Sequence, residues 1–468
     1  MAKRLAVLLF ALALVAGACG DDDSGDTTTT TTTAAGGETT TTVEGETTTT
    51  VEGAATTTSG EGGSDMATLR WRTRPDNDQE AAVYQSISDS LQGQVADVTL
   101  AYEAGGTETE GYQTALLTQL SAGEAPDVFW IPGADIAQFA QAGVLLNLAP
   151  YAAADADFSI DQFYAGPMEQ LTTDPATGQS NPADYLWGLP RDVSAFGLYL
   201  NLDLIAEAGA ADPRELAAAG TWDWAAFTEV AEQVGALAPE IFGYGQNSWW
   251  GPNGWWVNSA GGGFFNDARD ACGLDTPESI AGLTAFRDFY ATGAASTYGE
   301  DAEPIFKAGN TGMFQNGRWG TPGIREVTFN WDVVKLPDGP GGPSNWLFWG
   351  AYVVNASTEN PDAAWELVRA LTSADVQAQV AELGANIPSR VSQDALDAFL
   401  TFTPPENNQA FLDGLSENPE TEAPLWNGDW ASYRDEMNTR IAAVVSGDLS
   451  IEEFEANICT DLNQYFNN

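Results

Sequence analysis

The sequence predicts an α/β protein built on an open, parallel sheet. Short apolar runs alternate with segments of 3.6-residue periodicity through the first part of the globular region. The chain has 468 residues, enough for two to three domains with real cores. Its hydrophobic content, 43%, is ordinary for globular protein.

Taken in order, Thr68–Trp71 reads as a strand and Asn77–Leu91 as a helix with Val83, Ile87 and Leu91 on one stripe. Val95–Tyr102 is a strand, Tyr112–Leu120 a helix, Asp127–Ile131 a buried strand, and Ile136–Gln141 a helix stopped by Gly143. Three strands joined by helices imply right-handed crossovers, with ligand beyond the strands' carboxyl ends. A second unit begins near Leu189, with a strand at Phe196–Asn201 and helices at Asp203–Ala208 and Trp222–Val234, the latter capped by Thr221. Ser279–Tyr290 is helical, and Trp331–Leu336 and Phe348–Val354 are strands. Asn360–Pro361 opens a helix that buries Ala364, Leu367, Val368 and Leu371. The remainder reads as mostly helical.

Charge and composition exclude several functions. Seventeen basic residues stand against 67 acidic ones, for a net charge of −50, so the surface repels nucleic acid. Histidine is absent, which removes Ser–His–Asp hydrolases and His-ligated metal sites. No phosphate-binding G-x-x-x-x-G-K-[ST] loop occurs, and neither metal nor cofactor is expected.

The N-terminus carries export signals. Lys3 and Arg4 precede an apolar stretch from Leu5 to Ala16, and Ala16, Gly17 and Ala18 lead into Cys19. This resembles a bacterial lipobox: residues 1–18 would be a signal peptide and Cys19 the lipidated residue. Residues 19–66 are rich in Thr, Gly and acids, with TTTTVEG at Thr39–Gly45 and again at Thr47–Gly53. They read as a flexible tether on the outer face of the cell membrane. In an exported chain the other two cysteines, Cys272 and Cys459, suggest a disulfide.

Several motifs match one family in order and spacing. GYQTALLTQLSAGEAPDVFWIPGADIAQFAQAGVLLNLAPY (111–151) has a helix, A-G-x-x-P-D-V, and a helix ending in A-G-x-L-x-x-L. YLWGLPRDVSAFGLYLNLDLIAEAG (185–209), FKAGNTGMFQNGRWG (306–320), WELVRALTS (365–373) and GANIPSR (384–390) follow. With them the chain resembles the carbohydrate-type extracellular solute-binding proteins of bacterial ABC importers, the class that includes maltodextrin-binding proteins. The resemblance implies a two-lobe periplasmic-binding-protein-like fold with a hinge and an interlobe cleft. It places lobe one at 67–186 plus 302–356 and lobe two at 187–301 plus 357–468. It also implies a monomer that binds a sugar and delivers it to ABC permease subunits.

Sugars need flat apolar plates for their C–H faces and forked polar groups for their hydroxyls. SWWGPNGWWVN, Ser248–Asn258, offers Trp249, Trp250, Trp255 and Trp256. Gly251–Gly254 reads as a turn, with one ring of each pair expected on the cleft and one in the core. Trp130, Arg72 and Asp76 lie at the carboxyl ends of predicted strands, Arg191 and Asp192 at the lobe crossover, and Gln246 just before the tryptophan loop. Arg318, Trp346 and Trp349 complete the expected ligand set. Two alternatives remain. A secreted glycoside hydrolase would use two of the many carboxylates. A binding protein for a polyamine would use cation–π contacts, or for glycerol phosphate the arginines.

Overall fold

The structure, a computed structural model, describes residues 66–466 apart from 76, 107–110, 383, 385, 417 and 418. The signal peptide, Cys19, the tether and Asp76 therefore lie outside the described residues. Eleven strands are described: β1 (Ala67–Thr73), β2 (Val98–Ala104), β3 (Val128–Pro132), β4 (Gly188–Ser194), β5 (Phe196–Asn201), β6 (Phe242–Gln246), β7 (Thr311–Gly317), β8 (Trp331–Val334), β9 (Asn345–Val354), β10 (Ile387–Pro388) and β11 (Pro419–Thr421). They form a seven-stranded sheet of order β10-β4-β9-β3-β1-β2, with β11 added on β9, and a four-stranded sheet of order β6-β7-β5-β8.

The parallel start is as the sequence predicts. β1 pairs in parallel with β2 and β3, and helices Asp78–Leu91 and Tyr112–Ala122 connect them. The first helix begins where Asn77 accepts the Glu80 N–H at 3.0 Å. The sheet then turns mixed, because β9 runs antiparallel to both β3 and β4. One cap differs from expectation: Asp223, not Thr221, accepts the N–H groups of Ala225 and Ala226, so the helix is Trp224–Gly235. A carboxylate in the cap position satisfies two orphan donors and meets the positive end of the helix dipole.

The strand pairing departs from the expected lobe boundaries. β4, expected to open lobe two, lies in the larger sheet. β7 and β8, expected in lobe one, pair with β5 in the smaller sheet. Helix Pro361–Leu371 buries Ala364, Leu367 and Val368 in the same core as β3, β4 and β9, and β10 pairs with β4. Apolar periodicity marks a strand's buried face but says nothing about which sheet receives it. The chain passes between sheets at Ala195, linking β4 to β5, and at 335–344, linking β8 to β9.

The two passages are pinned together. The Asn345 side chain accepts the Phe196 N–H at 2.9 Å and donates to the Phe196 carbonyl at 2.9 Å. It thus acts as an extra backbone unit for Phe196, which pairs with Gly317 of β7 but lies before the Leu198–Asn201 stretch that β8 covers. Gly414 packs against this junction; a Cβ there would come within 2.6 Å of Asn345 Nδ2 and 2.8 Å of Ala195 Cβ.

Cys272 and Cys459 form a disulfide across 187 residues. The bond fastens the stretch after Phe265 to the helix Ile451–Leu462, and Asn463 Oδ1 also accepts the Cys272 N–H at 2.8 Å. Among the described residues no helix is long and apolar enough to cross a membrane. Replacing both cysteines by serine should lower the unfolding free energy by about 2–4 kcal/mol, since the unfolded chain loses a long closed loop. Urea titration measures this; an unchanged midpoint would mean the bond adds nothing to stability.

Candidate functional site

The tryptophan segment is not a turn. Trp250–Ser259 is a helix with Trp249 at its N-cap, which corrects the expectation for Gly251–Gly254. Pro252 fits in the first turn because no intrahelical acceptor awaits its missing N–H there. The glycines serve close packing. A Cβ on Gly254 would meet the Phe264 ring at 2.5 Å and Trp346 at 2.7 Å; one on Gly251 would meet Trp249 at 2.4 Å. Rings, not a chain reversal, fill the space that the glycines leave.

The two tryptophan pairs have different fates. Trp255 and Trp256 are both buried, against the expectation of one cleft ring per pair. Trp256 stacks on Phe286 at 5.3 Å and donates to Gln246 Oε1 at 3.1 Å. Gln246 is buried in the same network with Tyr244 and Asn253, so it serves the core rather than a ligand. Trp249 is half-buried edge-on against Phe196. Trp250 turns the other way, perpendicular to Trp346 at 5.1 Å and steeply inclined to Trp430 at 5.7 Å.

These three indoles line a cavity of about 830 Å³. Its wall comes from Ala134 after β3, Trp250, a stretch from Asn258 to Glu278, Trp346 at the start of β9, residues 420–423, and Trp430. The Trp346 indole is locked by donating to the Gly251 carbonyl at 2.9 Å. The Trp430 indole N–H has no partner among the described residues, so a hydrogen-bond donor stands in reserve beside the cavity. Phe264 and Phe265 add apolar surface, and Arg269 lies over the Phe265 ring at 4.6 Å. Arg269 donates to the Ala423 carbonyl at 2.8 Å and approaches Glu420 at 3.6 Å. Its backbone is left-handed, φ 53°, which aims the side chain across the rim.

Glu422 is a buried carboxylate in the same wall. It accepts the main-chain N–H groups of Ala134 and Trp349, each at 3.2 Å, and so joins the loop after β3 to β9. Trp349 returns the contact by donating its indole N–H to the Glu422 carbonyl at 2.6 Å. Burial pushes the Glu422 carboxyl up to about 8, helped by the neighbouring Asp135. Burial raises Asp135 too.

The other sequence candidates lie off this cavity. Arg72 pairs with Glu103 at 2.6 Å and donates to Gln119 at 2.6 Å. Arg191 and Asp192 form a buried bidentate pair, at 3.0 and 2.8 Å, with Glu80 at 3.9 Å from the guanidinium. Trp130 is buried beneath Arg74 and Arg191, whose guanidiniums lie 4.7 and 4.8 Å from its ring centre. Arg318 is fully buried elsewhere, and Trp349 stands behind the wall. Of the expected set, the cavity gathers Trp250 and Trp346. The sequence analysis missed Trp430, Phe264, Phe265, Arg269 and Glu422; the only local hint is the Gly-Gly-Gly-Phe-Phe run at 261–265.

Residues 79–378 match the bacterial extracellular solute-binding protein family, and the chain belongs to it. A maltotriose-binding protein of Pyrococcus abyssi is 24% identical over 309 residues, 63% of this chain and 60% of that one. A galactooligosaccharide-binding protein of Bacillus subtilis is 28% identical over 257 residues, 53% of this chain and 56% of that one. The match thus spans less than two thirds of either relative's length. In fold, the chain is similar to an ABC substrate-binding protein from Listeria monocytogenes in complex with cycloalternan: TM-score 0.76 at 20% identity, covering 86% of this chain and 99% of that one. The fold is accordingly the mixed α/β, two-lobe one.

The raised pKa of Glu422 has a sign that can be checked. A folded pKa near 8 against an ordinary 4.5 means the folded state holds the proton more tightly. The stability that Glu422 itself contributes is therefore greatest in acid and is lost as pH rises from about 4.5 to about 8. Glu422→Gln removes this loss, so its melting temperature relative to wild type should climb across that window. A difference that stays flat with pH would show that Glu422 is ionised throughout.

Proposed function

We propose that this protein captures a sugar or oligosaccharide in the aromatic cavity and delivers it to the permease of an ABC transporter. One observation carries the reading: Trp250, Trp346 and Trp430 converge on one cavity whose rim is polar. An indole sharing about 80 Å² with the C–H face of a sugar contributes roughly 2 kcal/mol at about 25 cal/mol per Å². Asn258, Asn266, Arg269 and Glu278 supply donors and acceptors for the hydroxyl rim. The names of the Pyrococcus and Bacillus relatives support the same ligand class.

The two passages between sheets, at Ala195 and at 335–344, are the natural hinge, and a ligand touching both lobes would favour the closed population. Lobe one would then comprise 66–194 and the segment from β9 through β10; lobe two would comprise 196–344 and the C-terminal helices. Cys19 would carry the lipid, residues 20–66 would be the leash, and the working form would be a monomer on the outer face of the membrane. The protein would bind rather than turn over its ligand. Both oxygens of Glu422 are already held by main-chain N–H groups, which suits a structural carboxylate better than a hydrolytic acid.

A cationic solute such as a polyamine is the second reading, because Asp267, Glu278 and Glu420 line the cavity against Arg269. The same excess of acid disfavours glycerol phosphate.

Calorimetric titration with mono-, di- and oligosaccharides, and with spermidine, separates these readings. Trp250→Ala and Trp346→Ala should each weaken saccharide binding by about 1–3 kcal/mol. Trp255→Ala should instead destabilise the fold by about 3–5 kcal/mol. Unchanged saccharide affinity in both cavity variants would move the site elsewhere.

A further inference from the structure

Arg318 is an anomaly that saccharide binding does not use. It follows β7 directly, at the junction between sheets, where its main-chain N–H donates to Ser194 Oγ at 3.0 Å. The side chain is 0% exposed. Its Nε, Nη1 and Nη2 are all buried with no hydrogen-bond partner among the described residues. Three phenyl rings enclose the guanidinium: Phe399 and Phe402 at 5.1 Å and Phe411 at 5.8 Å.

The surrounding charge makes this stranger. The chain has 67 acidic residues against 17 basic ones, and Arg191, Arg214, Arg369 and Arg440 all hold carboxylates. Arg318 holds none among the described residues, and another cation stands nearby. Arg325 lies over the same Phe402 ring at 4.0 Å and spends one N–H on the Thr403 carbonyl at 2.9 Å. Arg325 is exposed and Phe402 half-buried, so the pair runs from the surface inward to Arg318. Burial lowers the Arg318 pKa to about 10, and Arg325 adds to the fall, yet at neutral pH the group still carries its charge. Ring faces offset only part of the cost of removing a guanidinium from water; the remainder calls for a counter-charge and acceptors for its five N–H donors.

We propose that Arg318, with Arg325 outside it, forms a binding site for one small inorganic anion of halide size, covered by Phe402. The rings set the size limit: with three of them within 5.8 Å and no exposed surface, nothing as large as a saccharide or a phosphate ester fits. Swinging the half-buried Phe402 aside opens the way from Arg325 to Arg318. The anion would cap the positive end of a stretch that touches Ser194 beside the Ala195 passage, so its occupancy bears on how firmly the helices Gln393–Thr401 and Gln409–Ser416 hold the junction. This site is separate from the aromatic cavity and stands whether or not the ligand there is a sugar.

The test uses the full chain. Thermal unfolding is compared in sodium bromide or chloride and in sodium gluconate at equal ionic strength, so that general screening cancels. The wild type should melt higher in halide than Arg318→Met does, relative to gluconate for each. Met fills the apolar cage without the charge, so the variant should lose the halide dependence and melt higher than wild type in gluconate. Phe402→Ala should keep the dependence. A bromide-soaked wild-type crystal should show an anomalous peak beside the Arg318 guanidinium. Absence of that peak, or an equal halide effect in wild type and Arg318→Met, overturns the proposal. Should Arg318→Met not fold, the bromide peak in the wild type decides alone.

Discussion

The structure depends on one buried amide. Asn345 bonds both main-chain polar groups of Phe196 at the place where the chain leaves one sheet for the other. Neither passage could be buried with unsatisfied backbone groups; β7 pairs with Phe196, but β8 covers β5 only from Leu198 onward. The same residue receives the Trp346 N–H, so the amide that ties the passages also fixes the backbone from which a cavity ring projects. The passage between sheets and the cavity wall are built from adjacent residues.

Around that junction the rings hold one another. Trp250 meets Trp346 and Trp430 edge-on, an arrangement that the quadrupoles of aromatic rings favour over face-to-face stacking. Glycines 251 and 254 let the rings reach the helix, and the disulfide keeps the Phe264–Arg269 stretch in place. Glu422 buries a carboxylate to join two elements of the wall, and its proton affinity is the cost of that placement.

Much of the fold was legible. β1, β2 and β3 and their helices follow from apolar spacing, because each buries a face decided within a few residues. β7 was not legible. Its sequence, TGMFQNG, is glycine-flanked and polar at Gln315 and Asn316, yet the whole strand is buried. Each amide is answered at its oxygen: Tyr244 donates to Gln315, and Asn316 accepts the Gly317 N–H. No local pattern announces a partner 71 residues away. Which rings share the cavity was not legible for the same reason. Aromatic richness identified the kind of surface, but position along the chain could not tell Trp250, on the cavity, from Trp255, in the core.

By itself the sequence determined the parallel opening of the larger sheet, the two cysteines available to each other, the acidic surface and the stock of indoles. These rest on composition and on periodicities that span a few residues. Only the tertiary structure decided that Gly-Pro-Asn-Gly is helix, which sheet receives β4, β7 and β8, and which rings share a cavity. The cavity draws on positions 134, 250, 346, 422 and 430, and contacts so far apart in sequence are set by packing, where each ring's place depends on every other's.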